Sequence, residues 1–224
     1  MARYRSIRWP ILVALGLGAA LSYPFTWRRW CLTWGATPAE ADAQFPGDEL
    51  LTDADLISTR AIEIAAAPGS IWPWLVQMGS GRGGAYTYDW IENLFKLDMH
   101  SADRILPEFQ DLNVGDVMPV GATGPRLKVQ VLETDRALVV QSEDGSWVWA
   151  FLVTPTGTGA RLVSRNRIRL AHMPTALRLA YMYVMEPGSL LMERKMLQGI
   201  RARAERLAGE RRPDAAAAAS EPPR

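Results

Sequence analysis

From Ile57 to Ile64, Arg60, Ile62 and Ile64 fall on one side of an extended chain and Thr59, Ala61 and Glu63 on the other, which predicts a strand. Pro68 then suits the first position of a helix, and Ile71, Trp72, Leu75, Val76 and Met78 recur with helical spacing. The cluster Gly79-Ser80-Gly81-Arg82-Gly83-Gly84 stops that helix. A second helix is expected around Tyr88 to Leu97, with Trp90, Ile91, Leu94 and Phe95 on adjoining faces and Thr87 or Asp89 as its cap. The period changes to two after Gly115. Segments 117–120, 127–132, 137–142, 147–155 and 160–170 read as strands, and Asp144-Gly145 is a strong hairpin signal between two of them. Turns this short join only antiparallel neighbours, so these five strands form a meander.

Helical spacing returns at Thr175–Glu186, where Pro187-Gly188 is expected to interrupt it and Ser189 to cap the next helix. In that helix Leu190, Leu197, Ile200, Ala204 and Leu207 mark an apolar stripe of about five turns. Gly209 to Arg224, rich in alanine and ending in prolines, reads as a disordered tail.

Period-two bookkeeping sorts the sheet into faces. Arg161, Arg165, Arg167 and Arg169 share one face of the last strand, expected to be solvated or else to form an anion-binding stripe. Trp147, Trp149, Phe151 and Val153 share a face of the preceding strand that needs a large apolar cover. The long C-terminal helix supplies it.

The amino terminus differs in kind. Between Arg8 and Arg28 there is no charge, and Trp9–Trp27 would extend roughly 27 Å as a helix, close to the hydrocarbon thickness of a bilayer. Trp9, Tyr23, Trp27 and Trp30 flank the run as interfacial aromatics do. Residues 1–33 are therefore expected to be an uncleaved membrane anchor, with a cleaved signal peptide as the alternative, and the charge balance slightly favours an extracytoplasmic domain. Thr37-Pro38-Ala39-Glu40 is a capping-box pattern, and residues 34–55 read as a short helix and a surface linker before a domain at 56–208.

Composition narrows the chemistry. The 224 residues carry a net charge of +1, which gives no sign of a nucleic-acid partner, and 48% are hydrophobic, enough for a real core. One cysteine and two histidines leave no internal disulfide and no expected metal site or cofactor.

Several segments together resemble one group of proteins: Trp34-Gly35-Ala36-Thr37, Pro46-Gly47-Asp48, Trp72–Gly79, Gly81–Gly84, Tyr88–Leu94, His100–Ile105 and Met196–Ile200. They are similar to bacterial members of the START-like, or SRPBCC, superfamily, which includes polyketide cyclases and lipid-transfer domains. The resemblance covers Trp34 to about Leu207. It implies an α+β helix-grip fold, with a strand, two helices and an antiparallel meander curved around a long C-terminal helix. It also implies a hydrophobic cavity beneath that helix. Lipids, sterols, polyketides and plant hormones bind there across the superfamily, and a minority of members catalyse cyclisation or dehydration.

The expected ligand-binding set is Trp72, Gln77, Arg82, Tyr88, Asp89, Trp90, Arg104, Trp147, Trp149, Phe151 and Asn166. Tyr88, Asp89 and Arg104 are expected to make a polar cluster at the cavity mouth, braced by Asp103. The glycine cluster with Arg82 would cradle an anion, or else simply make a tight connection. His100 with Asp103, Asp89 or Glu92 would be an acid–base pair, with Tyr88 a further proton carrier, or else only a local hydrogen bond. Three functions follow: a membrane-anchored module binding a lipid or other hydrophobic small molecule, a cyclase or dehydratase, or an interaction module whose cavity is filled by side chains.

Overall fold

The structure is a computed structural model that describes Gly18 and residues 22–121, 124–171 and 173–219. Two short helices, α1 (Arg28–Leu32) and α2 (Pro38–Asp42), precede strand β1 (Leu56–Ile64). Helices α3 (Pro68–Val76) and α4 (Asp89–Leu94) follow. The meander is β2 (Val117–Pro119), β3 (Arg126–Glu133), β4 (Ala137–Ser142), β5 (Trp147–Thr156) and β6 (Gly159–Ile168). Helix α5 (Thr175–Ala180), a π-helical turn (Tyr181–Met185) and the long helix α6 (Glu186–Ala219) complete the chain.

The sheet order is β1-β6-β5-β4-β3-β2, antiparallel throughout. The lone first strand thus closes on the last, from Leu56 opposite Ile168 to Ile64 opposite Ala160. The expected hairpins are present: β4 to β5 turns at Gly145, whose φ is +69°, and β5 to β6 at Gly157-Thr158. Leu197, Ile200 and Ala204 of α6 pack with Ile71 and Leu75 of α3 onto Leu138, Phe151, Val153 and Leu162 of the sheet. Each large side chain buried there contributes about 1.5–3 kcal/mol. A six-stranded antiparallel sheet holding a long C-terminal helix is the helix-grip arrangement.

Several expectations are corrected. The arginine face of β6 is neither solvated nor an anion stripe, because residues 36–52 lie over it and satisfy it. Arg165 is buried: its guanidinium donates to the carbonyls of Glu40, Ala41 and Ala43, to Asp48 at 2.8 Å and to Thr59, and lies 3.9 Å from the Phe45 ring centre. Arg161 grips both oxygens of Glu40 at 2.7 and 2.8 Å, which holds that carboxyl down to about 2. Arg167 donates to the Leu51 carbonyl, and only Arg169, paired with Asp53, stays near the surface. Residues 45–55 are therefore a second cover on the sheet, not a surface linker: Phe45 packs on Ala61 and Val163, Leu51 on Val139 and Val148. The capping box at Thr37 and Glu40 is formed as expected.

Helix α4 ends at Leu94 rather than Leu97, and Trp90, Leu94 and Phe95 are exposed. Lys96 and Asp98 have positive φ, and the Asn93 side chain bonds both backbone groups of Met99, so the chain turns away before another turn forms. Pro187-Gly188 does not interrupt the C-terminal helix. The wider π turn before it absorbs the hydrogen bond that proline cannot donate. Helix α6 continues to Ala219, through residues expected to be disordered, as an alanine run permits.

The expected span Trp9–Trp27 lies mostly outside the described residues. Among the described residues no helix is long and apolar enough to cross a membrane. The described end of that run is a turn in which Tyr23, expected at a lipid interface, is instead buried and donates to Glu186 at 3.0 Å. Phe25, Trp27 and Trp30 remain exposed.

Candidate ligand cavity

Between the inner face of the sheet and the start of α6 lies a cavity of about 350 Å³. Strand parity makes its floor. Trp147, Trp149 and Phe151 alternate inward along β5, with ring centres 5.5 and 4.7 Å apart in succession, and Leu127 and Leu138 extend the floor across β3 and β4. Six methionines line the space, Met78, Met99, Met118, Met185, Met192 and Met196. Their unbranched, polarizable side chains adapt to the shape of an occupant.

The indoles do not merely fill space. Trp147 Nε1 donates to Asn166 Oδ1 at 2.8 Å and Trp149 Nε1 to Ser164 Oγ at 2.9 Å. Ser164 Oγ and Asn166 Nδ2 in turn donate to Glu193 Oε1, at 2.6 and 3.2 Å. The other Glu193 oxygen pairs with the guanidinium of Arg60, a side chain with no solvent exposure. Arg60 spends its remaining donors on the Cys31 carbonyl at 3.1 Å and Ser189 Oγ at 3.0 Å. A buried ion pair is tolerated when its spare donors and acceptors are met in this way. Sheet, roof helix and amino-terminal segment are thereby joined at one polar knot beside the β1–β6 edge.

Glu92, on α4, also lines the cavity. Its side chain is 7% exposed, and Oε2 has no hydrogen-bond partner. Burial first, and the charge of Asp89 second, push its pKa up to about 7.

Of the expected binding residues, Trp147, Trp149, Phe151 and Asn166 line the cavity together. The others do different work. Trp72 is core. Gln77 is wholly buried and pins the following loop, donating to the Arg104 carbonyl and accepting from Leu106 N and Gln110. Arg82 donates to the carbonyls of Val76 and Met78 and stacks on Phe109, so the glycine cluster is a tight connection. Glycine is required within it: Gly84 has φ +72°, and a Cβ there would meet the His100 carbonyl oxygen at 2.7 Å. Asp89 holds Ser101 through N and Oγ at 2.8 and 2.6 Å, Tyr88 lies under Lys195, and Trp90 and Arg104 face solvent. The expected polar cluster of Tyr88, Asp89 and Arg104 is not formed.

The acid–base candidates do not assemble either. The exposed His100 meets Asp98 at 3.1 Å, and Asp103 pairs with Arg203 at 2.7 Å. Sequence reasoning missed Glu193, which continues the stripe of Leu197, Ile200 and Ala204 one step earlier. It also left Arg60 without a partner, although strand parity turned that residue inward.

Solved structures with a similar chain trace include a protein of Mesorhizobium loti, at 16% identity and a TM-score of 0.41, covering 67% of this chain and 98% of its own. A Polyketide_cyc-like protein of Corynebacterium glutamicum matches at 16% identity and a TM-score of 0.34, over 74% of this chain and 97% of its own. An AHSA1-like protein of Aeromonas hydrophila matches at 15% identity and a TM-score of 0.33, over 75% and 99%. No family model matches the chain, and no curated protein does.

Proposed function

We propose that the chain is a binding module for a hydrophobic small molecule or lipid, held between the sheet and α6, and that its amino-terminal segment places it at a membrane. The observation that carries the first part is the open cavity itself, floored by stacked aromatics and roofed by methionines. A cavity filled by its own side chains, as an interaction module would have, does not fit that space. Ser164, Asn166, Glu193 and Arg60 are bonded to one another, which suits a fixed wall better than a reacting centre, and His100 and Asp103 each have other partners.

The membrane part rests on the uncharged stretch that begins at Trp9 and on Phe25, Trp27 and Trp30, which are exposed at and just after its end. Those side chains belong to the segment that packs, through Tyr23, on Tyr183 and Glu186, beside the π-helical turn whose Tyr181 and Met185 line the cavity.

The test is to purify the full chain from membranes and identify co-purifying small molecules by native mass spectrometry. One apolar molecule per chain is the expected result. A chain that emerges empty and takes up no fluorescent fatty-acid or sterol probe would defeat the binding reading. Carbonate-washed membranes should retain the protein with its amino terminus intact; a soluble form beginning near residue 23–26 would defeat the anchoring.

A further inference from the structure

Glu92 has a place in the cavity wall, and its carboxyl has no bonding partner among the described residues. It lines the cavity with Met78, Met99 and Met118, and no described cation forms an ion pair with it. The charged groups around it are otherwise engaged. Asp89, on its own helix, holds Ser101. Lys195, on α6, lies 5.6 Å from the Tyr88 ring centre. Asp98 and His100, in the following loop, meet each other at the surface. Elsewhere in the cavity lining, Arg60 and Glu193 are paired.

A buried, unsatisfied carboxyl costs about 1–3 kcal/mol, and a partner arriving with the ligand removes that cost. Once Glu92 is ionised, the partner must be a donor. A ligand carboxylate would set a third anion beside ionised Glu92 and Asp89, which disfavours it. An ammonium or hydroxyl group would supply the missing hydrogen bond, while the methionines receive an apolar chain.

Resting on the cavity-binding reading above, we propose that Glu92 anchors the head group of the ligand, and that this head is a hydrogen-bond donor, an amine or a hydroxyl on an otherwise apolar molecule, rather than a carboxylate. Ionised Glu92 binds an ammonium head most strongly. Affinity for an amine therefore rises as pH climbs through about 7, the value to which burial raises this carboxyl. Affinity for an alcohol changes little over that range.

The experiment uses the full chain in amphipol, with fluorescence of Trp147 and Trp149 reporting binding of dodecylamine, dodecanol or dodecanoate. At about pH 8 the amine should bind roughly tenfold or more tighter than the carboxylate, the worth of one charge-assisted hydrogen bond. The gap should narrow below about pH 7 and close in Glu92→Gln, with dodecanol still bound. The alcohol arm separates the two donor heads: a tight amine with weak alcohol assigns an ammonium, comparable affinities a hydroxyl. Dodecanoate binding as tightly as dodecylamine at about pH 8, or a gap that survives Glu92→Gln, overturns the head-group assignment alone. No binding of any of the three overturns the cavity-binding reading itself. The wild-type pH titration decides the matter if the variant fails to fold.

Discussion

At the scale of single residues, the tryptophans and the histidine make opposite predictions. Trp149 presents its ring to the cavity and anchors its N–H on Ser164. Trp149→Ala should weaken binding of an apolar probe by about 1–3 kcal/mol through lost buried area, as measured by probe displacement. His100 is 78% exposed and outside the cavity lining, so His100→Ala should leave the same affinity unchanged. A silent Trp149→Ala beside a damaging His100→Ala would instead favour the enzyme. Glu92 also marks stability. Its folded pKa of about 7 lies above the ordinary value of 4.5, so between these pH values the folded chain holds a proton that the unfolded chain releases. Stability should fall as pH rises through that window and level off above it. Glu92→Gln should remove this slope, seen as melting temperatures that change less between its two limits.

At the scale of elements, the outer cover of the sheet separates arginines that look alike in sequence. Arg165→Ala would strip the carbonyls of Glu40, Ala41 and Ala43 of a buried donor and leave Asp48 to the longer pair with Arg167 at 3.4 Å, and should cost about 3–5 kcal/mol in urea unfolding. Arg169→Ala removes a surface pair with Asp53 and should cost less than about 1 kcal/mol. Equal losses would show that the cover does not form. Strand parity placed both residues on the correct face, and turn chemistry located the hairpin at Gly145. What period two leaves open is whether a face is covered by a segment that has no period of its own. Residues 45–52 are such a segment: Pro46, Gly47 and Asp48 read as linker, and only Phe45 and Leu50-Leu51 betray the packing. The same limit explains the site. Trp147, Trp149, Phe151 and Asn166 were legible because strands fix where side chains point. Tyr88, Trp90 and Arg104 were not, because positive φ at Tyr86, Lys96 and Asp98 steers that loop in a way no periodicity encodes.

At the scale of the whole molecule, Arg60 is a joint between regions far apart in sequence. One donor holds the Cys31 carbonyl in α1, and others hold Glu193 and Ser189 on the roof of the cavity. Glu186, one turn before Ser189, is itself clasped by Tyr23 and Arg28. The seating of the amino-terminal segment and the filling of the cavity thus share a single set of bonds. Thermodynamic reciprocity then applies: if the seated segment improves ligand affinity by some factor, bound ligand must tighten the seat by that same factor. Hydrogen exchange at Arg28–Leu32 should slow when a ligand is added, and Arg28→Ala should weaken ligand binding in proportion. Exchange indifferent to ligand would mean that the joint transmits nothing. If the reciprocity holds, tension on the chain where it leaves the domain, such as a bilayer would apply to a tethered segment, is also a means of emptying the cavity.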